Sequence, residues 1–286
     1  MSGFMTVRIW DVEHGACAML THSEQNRLAM IDCGHADDWR PSTYIRNDLN
    51  RSVIDYLHIT NADQDHISDL AGLRDAGISV NTFLRNKTLP ADFLRRMKEA
   101  EGGPTNDMEE YLSMSNSYTA TVTEPFDNHM GGVVRRVYWN DYPHFNDTNN
   151  LSAAGFYKYG TFSMLFPGDL ETAGWKALLK NDNFRAELEK ATILVASHHG
   201  RENGYCDEVF DYCQPRAIVI SDKEIVHGTQ EMVPTYREKV VANHPTGVTV
   251  NTTGKQRHVL TTRRDGWIEF QVYANGSFNI FTEYHG

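Results

Sequence analysis

The stretch TNADQDH, residues 60–66, comes directly after an apolar run, VIDYLHI at residues 53–59, that predicts a buried strand. Three side chains in this stretch, Asp63, Asp65 and His66, offer carboxylate oxygens beside an imidazole nitrogen. That mixture suits zinc, manganese or iron in a site that does hydrolytic chemistry. In a strand-to-loop turn, side chains two residues apart can point to the same side. We therefore expect a metal-binding loop at this strand end.

The same loop has a simpler interpretation. Asp is a common turn and helix-capping residue, so Asp63 and Asp65 are also explained as caps of a helix that begins near Ile67. Local composition supports the two interpretations equally, and the rest of the chain has to separate them.

Length and composition predict one large domain over residues 1–286, because 286 residues that are 40% hydrophobic can bury a sizeable core without an obvious linker. No apolar run approaches the roughly 20 residues that span a bilayer, and the first residues lack a basic region followed by an apolar one. We therefore expect a cytoplasmic protein with no membrane partner. The spacing of the four cysteines favours buried thiols over a zinc knuckle or disulfides.

The formal net charge of -11 argues against broad attraction to duplex nucleic acid, which normally requires a basic face. A phosphodiester substrate remains compatible with this charge, because bound divalent ions can reverse the local field.

Short apolar runs separated by turn residues predict strands, and longer periodic segments predict helices. The expected strands near the metal loop are residues 6–12, 17–21, 28–32, 53–59 and 80–84, with a helix over residues 42–50. Residues 85–132 contain two breaks rich in Gly, Pro and Asn, and we expect a variable insertion there, near the mouth of the site.

Two later strand ends carry further candidate residues. One strand pair ends in Gly168-Asp169, which by itself is also explained as an ordinary Gly-Asp turn. The other strand, residues 191–197, ends in His198-His199. Neighbouring side chains on extended backbone point in opposite directions, so we expect one of the two histidines to be a metal ligand. His198 is the preferred one, because it follows the strand directly.

Together these segments resemble the metallo-β-lactamase superfamily. Residues 60–66 are similar to its H-x-[HD]-x-D-H signature, in the T-H-x-D-x-D-H form of the soluble domain of ComEC-type competence proteins, with Asn61 in place of the first His. Further similarities, in the same order along the chain, are the turn at residues 11–16, the D-x-G motif at Asp32, the N-x-x-S element of Asn149 and Ser152, the Gly168-Asp169 pair, the strand ending in His198-His199-Gly200, and the strands of the tail.

The resemblance implies an α/β fold (α+β by some schemes), a four-layer αββα sandwich with the site at one edge between the sheets. It implies one or two divalent ions, zinc or manganese, with Asp169 as the bridging carboxylate. Asp65, His66, Asp169 and His198 would hold one ion. Asp63, Asp169 and Asn61 would hold the other, weakly, because an amide is a much poorer ligand than an imidazole.

The remaining roles are implied in the same way. Asp32 would orient the metal loop, supported by Asn149 and Ser152. Asp63 and Asp169 would take part in catalysis, His199 would face substrate or act as a proton donor, and His227 would contact a phosphate or act as an acid.

The expected function is that of a metal-dependent hydrolase that cleaves phosphodiester bonds through a metal-activated water, as a nuclease or a nucleotide phosphodiesterase. Nucleic acid or a nucleotide is then the expected substrate. The alternative is a catalytically weakened module, marked by Asn61, that binds a nucleotide or a partner protein. A partner-triggered effector of bacterial defence is a third hypothesis, which the sequence does not settle.

Overall fold

A computed structural model describes residues 3–121, 126–225 and 227–284. Fifteen strands in this part of the chain form two large sheets and one small ribbon. The first sheet has the order β15-β14-β1-β2-β3-β4-β5. Its strands are β1 (Phe4–Ile9), β2 (Ala18–His22), β3 (Gln25–Ile31), β4 (Val53–His58), β5 (Ser79–Leu84), β14 (Ile268–Tyr273) and β15 (Phe278–Thr282).

The second sheet has the order β13-β10-β9-β8-β7-β6. Its strands are β6 (Val134–Tyr138), β7 (Ala154–Tyr159), β8 (Phe162–Phe166), β9 (Ile193–Val195), β10 (Ala217–Ile220) and β13 (Val259–Thr261), and β11 (Val248–Thr249) pairs with β12 (Gln256–Arg257) in the ribbon. β8, β9, β10 and β13 are parallel to one another, as are β3, β4 and β5, so their carboxyl ends meet at common sheet edges.

The α-helices flank the sheets. They are α1 (Pro41–Thr43), α2 (Gln64–Ile67), α3 (Leu70–Asp75), α4 (Ala91–Ala100), α5 (Asn106–Ser117), α6 (Phe126–His129), α7 (Thr172–Leu178), α8 (Asp182–Leu188), α9 (Val233–Asn243) and α10 (Thr262–Asp265). In the described ranges, none of these helices combines the length and the apolar character needed to cross a bilayer.

Burial follows the layers. In β1 every second residue, Met5, Val7 and Ile9, is buried, whereas β4 is almost entirely buried because both of its faces are covered. One apolar cluster takes side chains from both sheets, a second covers the outer face of the first sheet under α3, α4 and α5, and a third covers the outer face of the second sheet under α7, α8 and α9. The fold is therefore a four-layer αββα sandwich, as the resemblance implied.

The helix expected over residues 42–50 is present as the short α1 and a π-helical turn that continues it, Tyr44–Asp48. Residues 85–132 contribute α4, α5 and α6, with residues 122–125 outside the described ranges. Their assignment as an insertion stays a prediction.

Candidate metal centre

His66 lies in α2, the short helix after the loop that follows β4, and its side chain is 1% exposed. Its Nδ1 is 3.0 Å from Oδ2 of Asp32. The Asp32 carboxylate also accepts hydrogen bonds from the backbone N–H and the hydroxyl of Thr60, both at 2.6 Å. Asp32 follows β3 and has φ 58°, a left-handed conformation that Asp adopts more readily than most residues. This carboxylate fixes the imidazole so that Nε2 points away from it.

His199 reaches the same point from the other sheet. It follows β9 in a short turn, Ser197–Gly200, and its Nδ1 donates to the carbonyl of Ser221 at 3.0 Å. Because a carbonyl oxygen only accepts, the proton of the neutral ring is at Nδ1 and the lone pair is at Nε2. Nε2 is 3.2 Å from Oδ2 of Asp65 and 3.6 Å from Oδ1 of Asp169.

Four side chains converge here, and one candidate ligand atom from each of Asp65, His66, Asp169 and His199 lies within 4.8 Å of the others. His66 Nε2 is 3.0 Å from Asp169 Oδ1, yet neither it nor His199 Nε2 has a partner with hydrogen-bond geometry, and both atoms are buried. The four atoms thus face a shared point. Ligands at about 2.0–2.2 Å from a tetrahedral ion lie roughly 3.4 Å apart, so this donor set fits one divalent ion.

Backbone contacts bring the loop close to its neighbours. A Cβ on Gly34 would lie 2.4 Å from the carbonyl oxygen of Asp65, so only glycine lets the residue 32–34 segment pack against the metal loop. Ser152 accepts a hydrogen bond from the N–H of Asp169 at 3.0 Å, which fixes the start of that loop. A cavity of about 30 Å³ adjoins the cluster, with His66, Asp169 and His199 in its wall.

Charge is balanced inside the cluster. Burial alone would lower the pKa of His66, but Asp169 and Asp32 outweigh it and raise the pKa of His66 well above its ordinary value. Burial would also lower the pKa of His199, but the carboxylates of Asp169 and Asp65 outweigh burial and raise it. Burial would raise the pKa of Asp169, yet the two imidazoles hold it well below its usual range. Protons and a divalent ion would therefore compete for the two imidazoles.

Because protons compete with the ion for His66 and His199, metal affinity is expected to fall as pH decreases. An incoming ion must displace protons from His66 and His199, whose raised pKa values extend the competition to above the ordinary histidine value of about 6.5. Each proton released changes the apparent affinity by about tenfold per pH unit. Calorimetric titration at pH 7 in two buffers with different ionisation enthalpies measures the released protons. Identical heats in both buffers would contradict the prediction.

Asp63 and Asn61 lie beside the cluster but outside it. Both Asp63 carboxylate oxygens are occupied: Oδ1 accepts from Lys98 Nζ at 2.9 Å, and Oδ2 accepts from the Thr148 hydroxyl at 2.6 Å. The Asn61 amide donates to Asn149 Oδ1 at 3.1 Å and accepts from the N–H of Asp63 at 3.0 Å. These two predicted ligands of a second ion are therefore held by other protein groups.

The structure places His199, and not the predicted His198, among the candidate ligands. His199 enters the cluster, whereas His198 lies at its rim, with Nε2 4.0 Å from Asp169 Oδ2 and Nδ1 3.7 Å from Glu171 Oε1. Both residues have left-handed backbone, with φ 51° and 54°. The chain is thus not extended at this point, and the expected alternation of side chains does not apply.

Of the other predicted residues, Asn149 links Asn61 to Glu171, because its Nδ2 donates to Glu171 Oε1 at 3.1 Å. His227 is not brought to the cluster. It is exposed, and it is the N-cap residue of a short 3-10 helix, Gly228–Gln230.

The sequence did not point to three side chains near the cluster. His14 Nε2 is 4.0 Å from Asp65 Oδ2 and 2.7 Å from Arg201 Nη2, while Lys98 reaches Asp63 from α4. His14 lies in the residue 11–16 turn, so its motif contained a signal. Arg201 directly follows the His198-His199-Gly200 motif, but nothing in the sequence around Lys98 sets that residue apart.

A change at Asp32 tests the support of His66. In Asp32→Asn the left-handed backbone is retained, but the amide no longer holds His66 through a charged acceptor. Loss of such a supporting carboxylate typically weakens metal binding by about 10- to 100-fold, and we expect that range here. Equilibrium metal titration measures it, with Asp55→Asn as a control that changes a buried carboxylate paired with Arg27 and Arg51. Equal affinities for Asp32→Asn and the unaltered protein would exclude the orienting role.

The structure thus has two facing sheets between helical layers, with a His/Asp cluster where strands of both sheets end. No protein-family model matches the chain, and no curated protein matches it.

Solved structures do resemble it. The metallo-β-lactamase fold protein YhfI from Bacillus subtilis is 10% identical over 94% of this chain and 99% of its own, with a TM-score of 0.47. A diphosphatase of the PhnP family is 12% identical over 90% of this chain and 94% of its own, with a TM-score of 0.42. CmlA, a diiron β-hydroxylase from Streptomyces venezuelae, is 13% identical over 84% of this chain and 52% of its own, with a TM-score of 0.49.

Proposed function

We propose that the protein is a metal-dependent hydrolase that cleaves phosphodiester bonds in a nucleic acid or a nucleotide, and that it is of the ComEC type. The observation that carries the proposal is the convergence of Asp65, His66, Asp169 and His199 around one point, with two buried imidazole nitrogens that lack hydrogen-bond partners. Two imidazoles and two carboxylates suit zinc or manganese.

A divalent ion bound there would supply Lewis acidity, lowering the pKa of a coordinated water and polarising a substrate oxygen. The protein's own groups prepare the surroundings. Asp32 and the Ser221 carbonyl hold the two imidazoles in one orientation. Burial of His66 and Asp169 keeps bulk water from the inner side of the site and strengthens its electrostatic interactions.

His198 is suited to move a proton at the rim. Its side chain is 11% exposed, Glu171 lies on its Nδ1 side, and Nε2 faces Asp169. Burial lowers the pKa of His198, opposed by Asp169, and this keeps the ring mainly neutral near neutral pH. Such a ring can exchange a proton with a leaving group, a contribution of about 10²- to 10⁴-fold in typical enzymes. We propose this role for His198 in place of the one first expected for His199.

Phosphodiester substrates are favoured by a positive group beside the centre. Arg201 Nη2 lies 2.7 Å from His14 Nε2, which is itself 4.0 Å from Asp65 Oδ2, in a chain with a net charge of -11. Local cations in an acidic protein raise the concentration of an anionic substrate where it is needed. The resemblance of residues 60–66 and 191–201 to ComEC-type domains supports the same class.

A second candidate function is a binding module that takes a nucleotide or a partner protein without turnover. The hydrogen bonds of Asn61 to Asn149 and of Asp63 to Lys98 favour it, because these residues stand where a second ion was expected.

Metal content and hydrolysis together separate the candidates. Purified protein is analysed for bound metal, then assayed with bis-p-nitrophenyl phosphate in added Mn²⁺ or Zn²⁺, with p-nitrophenyl phosphate and a chromogenic β-lactam as comparison substrates. The proposal predicts bound metal and a preference for the diester. Bound metal without turnover supports the binding module, and absence of metal binding excludes the hydrolase.

A further inference from the structure

We propose that the centre holds a single divalent ion and that the ammonium group of Lys98 takes the place of a second one. This inference rests on the metal centre of the proposed function, and it specifies the number of ions there.

The first step concerns Asp63. Its two oxygens accept hydrogen bonds from Lys98 Nζ at 2.9 Å and from the Thr148 hydroxyl at 2.6 Å. A carboxylate that ligated an ion would have to give up at least one of these partners. Asp63 also stays outside the group of ligand atoms that converge around Asp169 in the described residues.

The second step concerns Asn61, which is 3% exposed. Its Oδ1 accepts from the N–H of Asp63, so its Nδ2 is directed to Asn149, and Asn149 in turn donates to Glu171. An amide nitrogen has no lone pair available for a metal ion. The side-chain atom of Asn61 that could ligate an ion is Oδ1, and it already accepts a hydrogen bond from the N–H of Asp63.

The third step concerns charge. Lys98 extends from the last turn of α4, its side chain is 16% exposed, and it also lies 2.9 Å from Glu101. Burial lowers the pKa of Lys98, but Asp63 and then Glu101 outweigh burial and raise the pKa, so the side chain is a cation. A divalent ion on Asp63 would lie next to this fixed positive charge and be repelled by it.

Together these contacts neutralise Asp63 from within the protein. Lys98 belongs to α4, in the segment of residues 85–132, so this segment contributes directly to the surroundings of the metal centre. The ammonium supplies the charge that Asp63 requires, and it cannot deliver a coordinated water. An ion held by Asp65, His66, Asp169 and His199 would then be the single source of Lewis acidity at this centre.

Metal stoichiometry tests the inference without reference to catalysis. The protein is titrated with Mn²⁺, ions bound per chain are counted by native mass spectrometry, and the electron paramagnetic resonance spectrum is recorded. We expect one Mn²⁺ per chain with the signal of an isolated ion. Two ions of similar affinity with an exchange-coupled signal would overturn the inference and leave the proposed hydrolase intact. No bound ion would overturn both.

Variants test the role of Lys98. In Lys98→Met with Asn61→His, the ammonium is removed and an imidazole is provided, so we expect a second Mn²⁺ to bind. Lys98→Arg retains the charge and should bind one ion. Lys176→Met, which removes a surface lysine paired with Glu208, is the matched control and should also bind one. If the double variant keeps the native circular dichroism spectrum and still binds one ion, Lys98 does not occupy the second position. If the double variant does not fold, the number of Mn²⁺ ions bound by the unaltered protein and by Lys98→Met alone decides whether Lys98 takes the place of a second ion.

Discussion

Asp169→Ala is expected to remove metal binding and hydrolysis together. Asp169 is 3% exposed, and its Oδ1 is 3.0 Å from His66 Nε2 and 3.6 Å from His199 Nε2, so it is in contact distance of both imidazoles. Removing a residue that supports a metal ligand typically lowers metal affinity by about 10- to 100-fold, so removing a ligand itself should lower it by more than about 100-fold. Metal titration by calorimetry and the diester assay measure the two effects.

The control for Asp169→Ala is Asp211→Ala, which removes an exposed carboxylate in the 3-10 helix Asp207–Asp211, outside the four-residue cluster. It should change neither quantity. Retention of full turnover in Asp169→Ala, with a native circular dichroism spectrum, would remove Asp169 from the centre.

The second large effect separates the two histidines. His199→Asn is expected to weaken metal binding by more than about 100-fold, because it removes a ligand. His198→Asn is expected to keep the bound metal and to lower kcat by about 10²- to 10⁴-fold, as for loss of a proton-transfer group. Asn is the appropriate replacement at both positions, since it tolerates the left-handed backbone recorded there better than Ala does.

The two variants are controls for each other, because they change the same residue type in adjacent positions of one turn. Loss of metal in His198→Asn together with retention in His199→Asn would reverse the assignment. Metal content by elemental analysis and steady-state kinetics on the same preparations give the comparison.

The layers of the fold could be predicted because several motifs, in the same order along the chain, resemble a known superfamily, and that resemblance implied the sandwich. The sandwich is confirmed. Local patterns located the candidate ligands, since the apolar run before residues 60–66, the strand before Asp169 and the strand before His198-His199 each ended in one. The convergence of Asp65, His66 and Asp169 was implied by the resemblance, and the three side chains do lie together.

The remainder depends on contacts that no sequence pattern shows. The order of His198 and His199 is decided by two consecutive left-handed residues, which the sequence gives no reason to expect outside glycine. Lys98 reaches Asp63 through tertiary packing of α4, and the departure at Asn61 was visible, whereas its hydrogen bond to Asn149 was not. His227 lies in the loop after β10, where its side chain is exposed.

The four converging side chains come from strand ends in both sheets: Asp65 and His66 follow β4 of the first sheet, whereas Asp169 and His199 follow β8 and β9 of the second. A bound cation would therefore link the two sheets of the sandwich directly. During synthesis, the ribosome must release the chain well past His199, including the β10 segment that carries the Ser221 carbonyl, before the pocket exists. Metal loading must then follow synthesis of the chain through Ser221, and a nascent chain truncated before β9 should capture no ion.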